Sequence, residues 1–271
     1  MELLPISTPH CRVERDDHIV VVTMDRPEAK NALSSDMLVG LADAWAYVSE
    51  EPEVRVAVLT GANGTFCAGA DLKAMGTPSN DPRVRQRVAE IPDYHWKGLL
   101  RDSGALPTKP IVCAIEGYAV AGGTELLVGT DLRVVSESAT LGLFEARRAL
   151  FPMGGSAIRL PRQIPYAFAM DILLTGRAVT AQEALSMGLV NRVVPDGQAL
   201  TVALEIADQI TECGPLAVQA ILRAYRETLG MPEDEALKVS DGIGWPVIGS
   251  EDAKEGSLAF REKRPALYQG K

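Results

Sequence analysis

The chain has 271 residues, of which 46% are hydrophobic, 23% charged and 5% aromatic, the profile of a globular protein and not of a disordered, fibrous or membrane-spanning one. Its 27 lysines and arginines against 36 aspartates and glutamates leave a net charge of −9, which excludes attraction to nucleic acid or an anionic membrane by bulk charge. The opening MELLPISTPH lacks the cationic and apolar stretches of a signal peptide, and no run of about eighteen apolar residues follows, so the chain is expected in the cytoplasm.

Residues 12–24 alternate across a polar Asp16–Asp17 turn and then run apolar, which predicts a hairpin entering a sheet. Ser34 or Ser35 caps a predicted helix carrying Met37, Leu38, Leu41, Trp45 and Val48 at helical spacing, and the branched run at 54–60 predicts a strand. A polar helical segment is expected from about Arg83 to Leu106, then a buried strand after Pro110, a helix near Gly122 and a strand at 132–136. From Gly154 onward nearly every segment reads as helix, including a capping box from Thr180 to Glu183. Alternating strands and helices followed by six helical tail segments predict an α/β core with a helical end, packed on the core or on another subunit.

Cys11, Cys67, Cys113 and Cys213 form no CxxC pair and are read as four buried thiols, and His10, His18 and His95 fit no metal or nucleophile motif. Chemistry must then rest on carboxylates, backbone amides or a bound cofactor. In residues 61–75 the small residues Ala68, Gly69 and Ala70 before Asp71 leave main-chain N–H groups free for an anion or a polarised carbonyl, although an ordinary tight turn reads the same way. Residues 117–132 run from strand into helix at Gly122 without a phosphate-loop lysine. They place Glu125 among Leu126, Leu127 and Val128, either as a functional carboxylate or as a partnered structural one. Glu145 lies in an apolar stretch followed by Arg147 and Arg148, either paired with one of them or sharing acid and base work with Glu125.

The segments MDRPEAKNAL (24–33), FCAGADLKAM (66–75), KPIVCAIEGYAVAGGTELLVGTDLRV (109–134), LTGRAVTAQEALSMGLVNRVV (174–194) and FREKRPALYQG (260–270) together resemble the crotonase superfamily, the enoyl-CoA hydratase/isomerase family. The resemblance implies an α/β fold, a spiral of strand-strand-helix turns over residues 1–200 holding an acyl-CoA site, with a helical trimerisation region over 201–271. A homotrimer or dimer of trimers is expected. It implies an oxyanion hole from the N–H groups of Ala70 and Gly122, with Glu125 as the base that orients water and Glu145 as the acid. Ala29, Lys30, Ala68, Ala70, Asp71, Leu72 and Lys73 are expected along the CoA path, with Lys263 as a further cation for its phosphates. No metal and no cofactor beyond the CoA of the substrate is expected.

The implied reaction is reversible syn addition of water to a trans-2-enoyl-CoA. Isomerisation, hydrolysis or decarboxylation of an acyl-CoA, or acyl-CoA binding without turnover, are the alternatives. Phe144 where the family commonly has proline, Ala149 for glycine, and FPMGG with Met153 for IPGAGG depart from the hydratase pattern beside the second glutamate. The stretch from about Gly76 to Trp96 is expected to form the variable wall of the acyl pocket.

Overall fold

The apolar run Ile19–Met24 forms β3, with five of its six residues buried, as a strand covered on both faces requires. In the computed structural model, which describes residues 1–73, 77–91, 93–101 and 106–271, β3 lies within a seven-stranded sheet. The expected hairpin is present: β2 (Cys11–Asp16) pairs antiparallel with β3, turning at Asp17, and the short β1 (Glu2–Leu3) adds an outer antiparallel strand. Beyond β3 the sheet continues in parallel through β4 (Val56–Gly61), β5 (Ile111–Ile115), β7 (Leu132–Ser136) and β10 (Arg192–Val194).

Between these strands the chain visits a second, three-stranded sheet of β6 (Tyr118–Val120), β8 (Thr140–Gly142) and β9 (Ala178–Thr180). β5 is thus followed by β6 and then by α4 (Gly122–Leu127), and β7 by β8 and then by α5 (Ser156–Gln163) and α6 (Tyr166–Thr175). The strand-strand-helix turns are those expected. After β4, a single parallel bridge from Cys67 to Ala119 continues the second sheet, so the chain crosses between the sheets there too.

Alternation along the strands divides the core. Val20, Val22 and Met24 face a large cluster with Leu41, Trp45 and Leu127, whereas Val21, Val58, Val112 and Val134 face Ala199, Ala203 and Ile206 of α8 (Ala199–Thr211). The first of these helices, α1 (Ser35–Glu50), is capped by Ser34, whose Oγ accepts from the Met37 N–H at 3.2 Å.

The single polar helix expected from Arg83 to Leu106 is two, α2 (Pro82–Glu90) and α3 (Tyr94–Gly98), and residues 92 and 102–105 of that stretch lie outside the described residues. So do residues 74–76, which end the FCAGADLKAM motif and begin the expected pocket wall. The part from Gly154 onward is less uniformly helical than expected, since β9 and β10 lie within it, with α7 (Ala181–Ser186) opening on the expected capping box between them. Three-residue strands around glycine carry no alternation to read.

Beyond α8 come α9 (Pro215–Thr228), α10 (Glu233–Ile248) and α11 (Glu251–Glu262). No sequence signal marked α10, because Gly242, Gly244 and Pro246 lower its intrinsic helicity and packing against α9 supplies what propensity lacks. Arg226 of α9 donates to the Pro107 carbonyl and, at 3.3 Å, to Asp131, while Arg55 beside β4 holds the Thr211 and Tyr268 carbonyls at 2.7 Å each. Among the described residues no helix is long and apolar enough to cross a membrane. The expectation of four buried thiols holds for Cys11, Cys67 and Cys113, but Cys213, after the last turn of α8, is exposed.

Candidate active site

Two backbone segments meet where β4 and β6 have run out. Leu33 donates its N–H to the Gly69 carbonyl at 2.8 Å and accepts from the Asp71 N–H at 3.1 Å, forming a parallel bridge opposite Ala70. In such a bridge the residue between the two bonds directs its own N–H to the other side. That side holds the start of α4. A Cβ on Gly122 would lie 3.6 Å from the Ala70 nitrogen, and one on Gly69 would lie 2.9 Å from the Ala121 Cβ and 3.4 Å from the Gly122 nitrogen. Glycine at 69, with φ 91°, is therefore what lets the two strips of backbone close on one another.

Neither the Ala70 nor the Gly122 N–H has a protein acceptor among the described residues. The direction of the second is set by strain: Ala121, at the N-cap of α4, has φ 50° and ψ −120°, a conformation that favours glycine. Its N–H is held by the Gly142 carbonyl at 2.8 Å. Two free N–H groups, one at the positive end of a helix, are donors of the kind that can stabilise an oxygen gaining negative charge.

Glu125 follows Gly122 by one helical turn and is 5% exposed. Its carboxylate faces the N-terminus of α5, where Oε1 accepts from the Ser156 hydroxyl at 3.0 Å and the Ser156 N–H at 3.4 Å. Gly154 lies flat against it, since a Cβ there would sit 2.8 Å from both Cδ and Oε2. Burial pushes the Glu125 carboxyl above the usual carboxylate range, and hydrogen bonds from the backbone of Gly154, Gly155 and Ser156 and the Ser156 hydroxyl pull it back. The result is a held, oriented carboxylate.

Glu145 is different. It stands at the N-cap of a 3₁₀ turn, Ala146–Arg148, is half-buried, and its Oε2 is buried with no hydrogen-bond partner among the described residues. The ion pair with a neighbouring arginine does not form, because Arg147 turns its Nε to the Thr175 carbonyl at 3.0 Å and both arginines are exposed. Burial, and secondarily the charge of Glu125, push the Glu145 carboxyl up to about 7, against the lowering influence of its own backbone N–H and of Arg148. One carboxyl is anchored by hydrogen bonds and the other is raised toward neutrality, a contrast of the kind that acid–base chemistry can use.

The remaining predicted residues fall in the 26–31 and 68–73 loops and at the end of α11. Ala68 donates to the Lys30 carbonyl at 3.0 Å, Ala29 ends the 3₁₀ turn Pro27–Ala29, and Lys30 holds its ammonium 5.3 Å from the centre of the exposed Tyr118 ring. Asp71 forms an ion pair with Arg26 and accepts from the Lys73 N–H at 3.0 Å, so its carboxylate anchors the loop that carries Ala70. Leu72 and Lys73 are exposed beside it, and Lys263 is exposed at the end of α11.

Sequence reasoning missed Asn31, fully buried in a left-handed conformation, whose side-chain oxygen accepts from the Arg26 N–H at 2.8 Å and whose nitrogen donates to the carbonyls of Ala62 and Thr65 at 3.1 and 2.6 Å. It stitches the 26–31 loop to the turn before Ala68; its only trace in the sequence is an asparagine inside the MDRPEAKNAL motif. Ser156 and Gly154 were likewise not foreseen as the seat of Glu125. The described residues contain no cluster of three or more His, Cys, Asp or Glu able to hold a metal ion.

The family profile described as enoyl-CoA hydratase/isomerase matches residues 14–271. The chain belongs to this family. It is 53% identical over 265 residues to enoyl-CoA hydratase EchA19 of Mycobacterium tuberculosis, covering 98% of each chain. It is 37% identical to (E)-benzylidenesuccinyl-CoA hydratase of Thauera aromatica over 262 residues, 95% of this chain and 98% of the other. The crystal structure of an enoyl-CoA hydratase from Mycobacterium tuberculosis H37Rv superposes with a TM-score of 0.86 at 39% identity, covering 97% of this chain and all of that one. The fold is the crotonase fold, and the protein is an enzyme of the enoyl-CoA hydratase type.

Proposed function

We propose that the protein adds water reversibly, in syn fashion, to a trans-2-enoyl-CoA to give a 3-hydroxyacyl-CoA, with no metal and no cofactor beyond the CoA moiety of the substrate. The observation that carries this reading is the contrast within the glutamate pair. Glu125 is hydrogen-bonded and anchored, while Glu145 leaves its Oε2 buried without a partner and is raised to about 7, as addition of a water and a proton requires. The thioester oxygen rests between the Ala70 and Gly122 N–H groups, which stabilise the enolate by about 3 kcal/mol each. Glu125 orients a water and takes its proton as the oxygen bonds to the β-carbon. Glu145 delivers a proton to the α-carbon, and the enolate collapses to the thioester. Ala29, Lys30, Ala68, Asp71, Leu72 and Lys73 line the CoA arm in this reading, with Lys30, Lys73 and Lys263 supplying local cations to an otherwise acidic chain.

A homotrimer or a dimer of trimers is the assembly proposed. Support comes from large apolar side chains left in water on the terminal helices, among them Ile221, Tyr225, Trp245, Ile248 and Phe260, more than a single subunit ordinarily exposes in one region. Light scattering on the purified protein is expected to give three or six chain masses.

Loss of the conjugated enoyl absorbance of crotonyl-CoA, with the product identified by mass, tests the reaction. Hydration is expected, falling by about 10²–10⁴-fold in both Glu125→Gln and Glu145→Gln. Full activity in either folded variant would remove that residue from the mechanism, and a shifted double bond, free CoA or released carbon dioxide would replace the reaction with isomerisation, hydrolysis or decarboxylation.

A further inference from the structure

Asn31 is fully buried, and both hydrogens of its amide are engaged. Its Nδ2 donates to the Ala62 carbonyl at 3.1 Å and the Thr65 carbonyl at 2.6 Å, while its Oδ1 accepts from the Arg26 N–H at 2.8 Å. The backbone closes the same ring, with the Asn31 N–H donating to the Arg26 carbonyl at 2.9 Å. Lys30 and Asn31 have φ of 50° and 53°, two consecutive non-glycine residues in a conformation that persists only where the surroundings impose it.

The Ala70 loop hangs from this segment on both sides. Lys30 accepts from the Ala68 N–H at 3.0 Å, and Leu33 holds the Gly69 carbonyl at 2.8 Å and the Asp71 N–H at 3.1 Å. Arg26, whose backbone Asn31 holds, forms the ion pair with Asp71. The Asn31 side chain is thus what ties the segment 26–33 to the 62–65 turn from which the Ala70 loop departs.

We propose that Asn31 is a positioning residue for the oxyanion seat: its three side-chain hydrogen bonds hold residues 26–33 in the conformation that aims the Ala70 N–H at the thioester oxygen. The inference rests on the reading of Ala70 and Gly122 as donors to that oxygen. The rival account is that asparagine stands at this position only because it tolerates a positive φ. Glycine separates the two, because it adopts that conformation without strain and brings no amide.

The experiment compares the wild type, Asn31→Gly and Asn31→Asp in two readouts, with melting temperature measured alongside. Asn31→Asp keeps the shape and the acceptor for Arg26 but sets an oxygen against the Ala62 and Thr65 carbonyls. In hydration of crotonyl-CoA, both variants are expected to lower kcat about 10–10²-fold, less than outright removal of a donor, with KM changed by no more than about threefold. In the second readout, acetoacetyl-CoA bound to the protein is titrated with pH and its enolate followed by absorbance. Donors at the thioester oxygen favour the enolate, so the wild type is expected to lower the midpoint below that of the free ligand. Each variant is expected to give back about one pH unit, a tenfold loss of that preference. Val134→Ala, on the α8 face of the sheet, is expected to lower the melting temperature and move neither readout.

Wild-type kcat and midpoint in Asn31→Gly overturn the proposal and leave Asn31 a residue chosen for its backbone angle, as does an equal change in Val134→Ala. Should Asn31→Gly fail to fold, Asn31→Asp decides by the same two readouts. The enolate titration needs no turnover. A wild type that lowers the midpoint yet hydrates nothing counts against the hydratase reading while the variants still decide this one, and a wild type that leaves the midpoint unmoved overturns it.

Discussion

The two halves of the site are built from opposite materials. Gly69, Gly122, Glu125 and Gly154 lie in backbone packed so closely that most side chains have been removed from it, and every one of them is buried. The other half, from Ala146 to Met153, is exposed or half-buried, with Leu150, Phe151 and Met153 in water, and holds one functional group, Glu145, at its edge. The first half holds the proposed oxyanion donors and the proposed base on rigid backbone, as transition-state contacts demand. In the second half only the carboxyl of Glu145 is constrained, which fits its being where this sequence departs from the family pattern.

That contrast breaks most sharply at Gly122. A Cβ there would lie 2.7 Å from Leu33 Cδ1, next to the strip that carries Ala70, so Gly122→Ala is expected to displace one donor and lower kcat by about 10²–10³-fold with a smaller change in KM, read from steady-state kinetics. Gly154→Ala tests the joint between the halves. Its methyl would overlap the Glu125 carboxylate, and a misplaced base is expected to lower kcat/KM about 10²-fold while Glu145 is untouched.

The pH dependence comes next in size. If Glu145 gives the proton, kcat/KM falls tenfold per unit once pH rises past its carboxyl at about 7, and Glu145→Gln removes that limb along with most of the activity. The same group affects stability with a defined sign. Its folded pKa lies above the unfolded value, so its neutral form favours the fold fully below about pH 4.5, and this contribution declines as pH rises until ionisation is complete above 7. Glu145→Gln is expected to flatten that decline in a melting-temperature series. The smallest effect belongs to Phe151, 65% exposed: Phe151→Ser is expected to change stability by no more than about 0.5 kcal/mol, and crotonyl-CoA turnover only a few-fold. A large loss there would show that the exposed half is constrained as tightly as the buried one.

Legibility in the sequence followed the same division. The bounds of β7, the place of β5 after Pro110 and the start of α1 at one of two serines are legible, because branched runs and a capping serine report local physics. The glutamates and the small-residue loops were visible as anomalies, and the family resemblance gave them roles. What stayed hidden depends on partners distant in sequence: the three-residue strands of the second sheet, Asn31 holding carbonyls of another turn, and Ser156 reaching a carboxylate from the next strand-strand-helix turn. A helix interrupted by Gly242, Gly244 and Pro246 is likewise readable only from the neighbour that stabilises it.

One stretch of chain, from Glu145 to Ser156, carries the proposed acid at one end and the seat of the proposed base at the other. Its middle is free to change in chemistry, yet its contour length sets the spacing of the two proton-handling groups. An exposed loop of this kind behaves as a ruler: deleting a single residue near Phe151 should cost far more turnover than replacing any side chain there, and relatives that diverge in this segment would do so by composition while conserving its span.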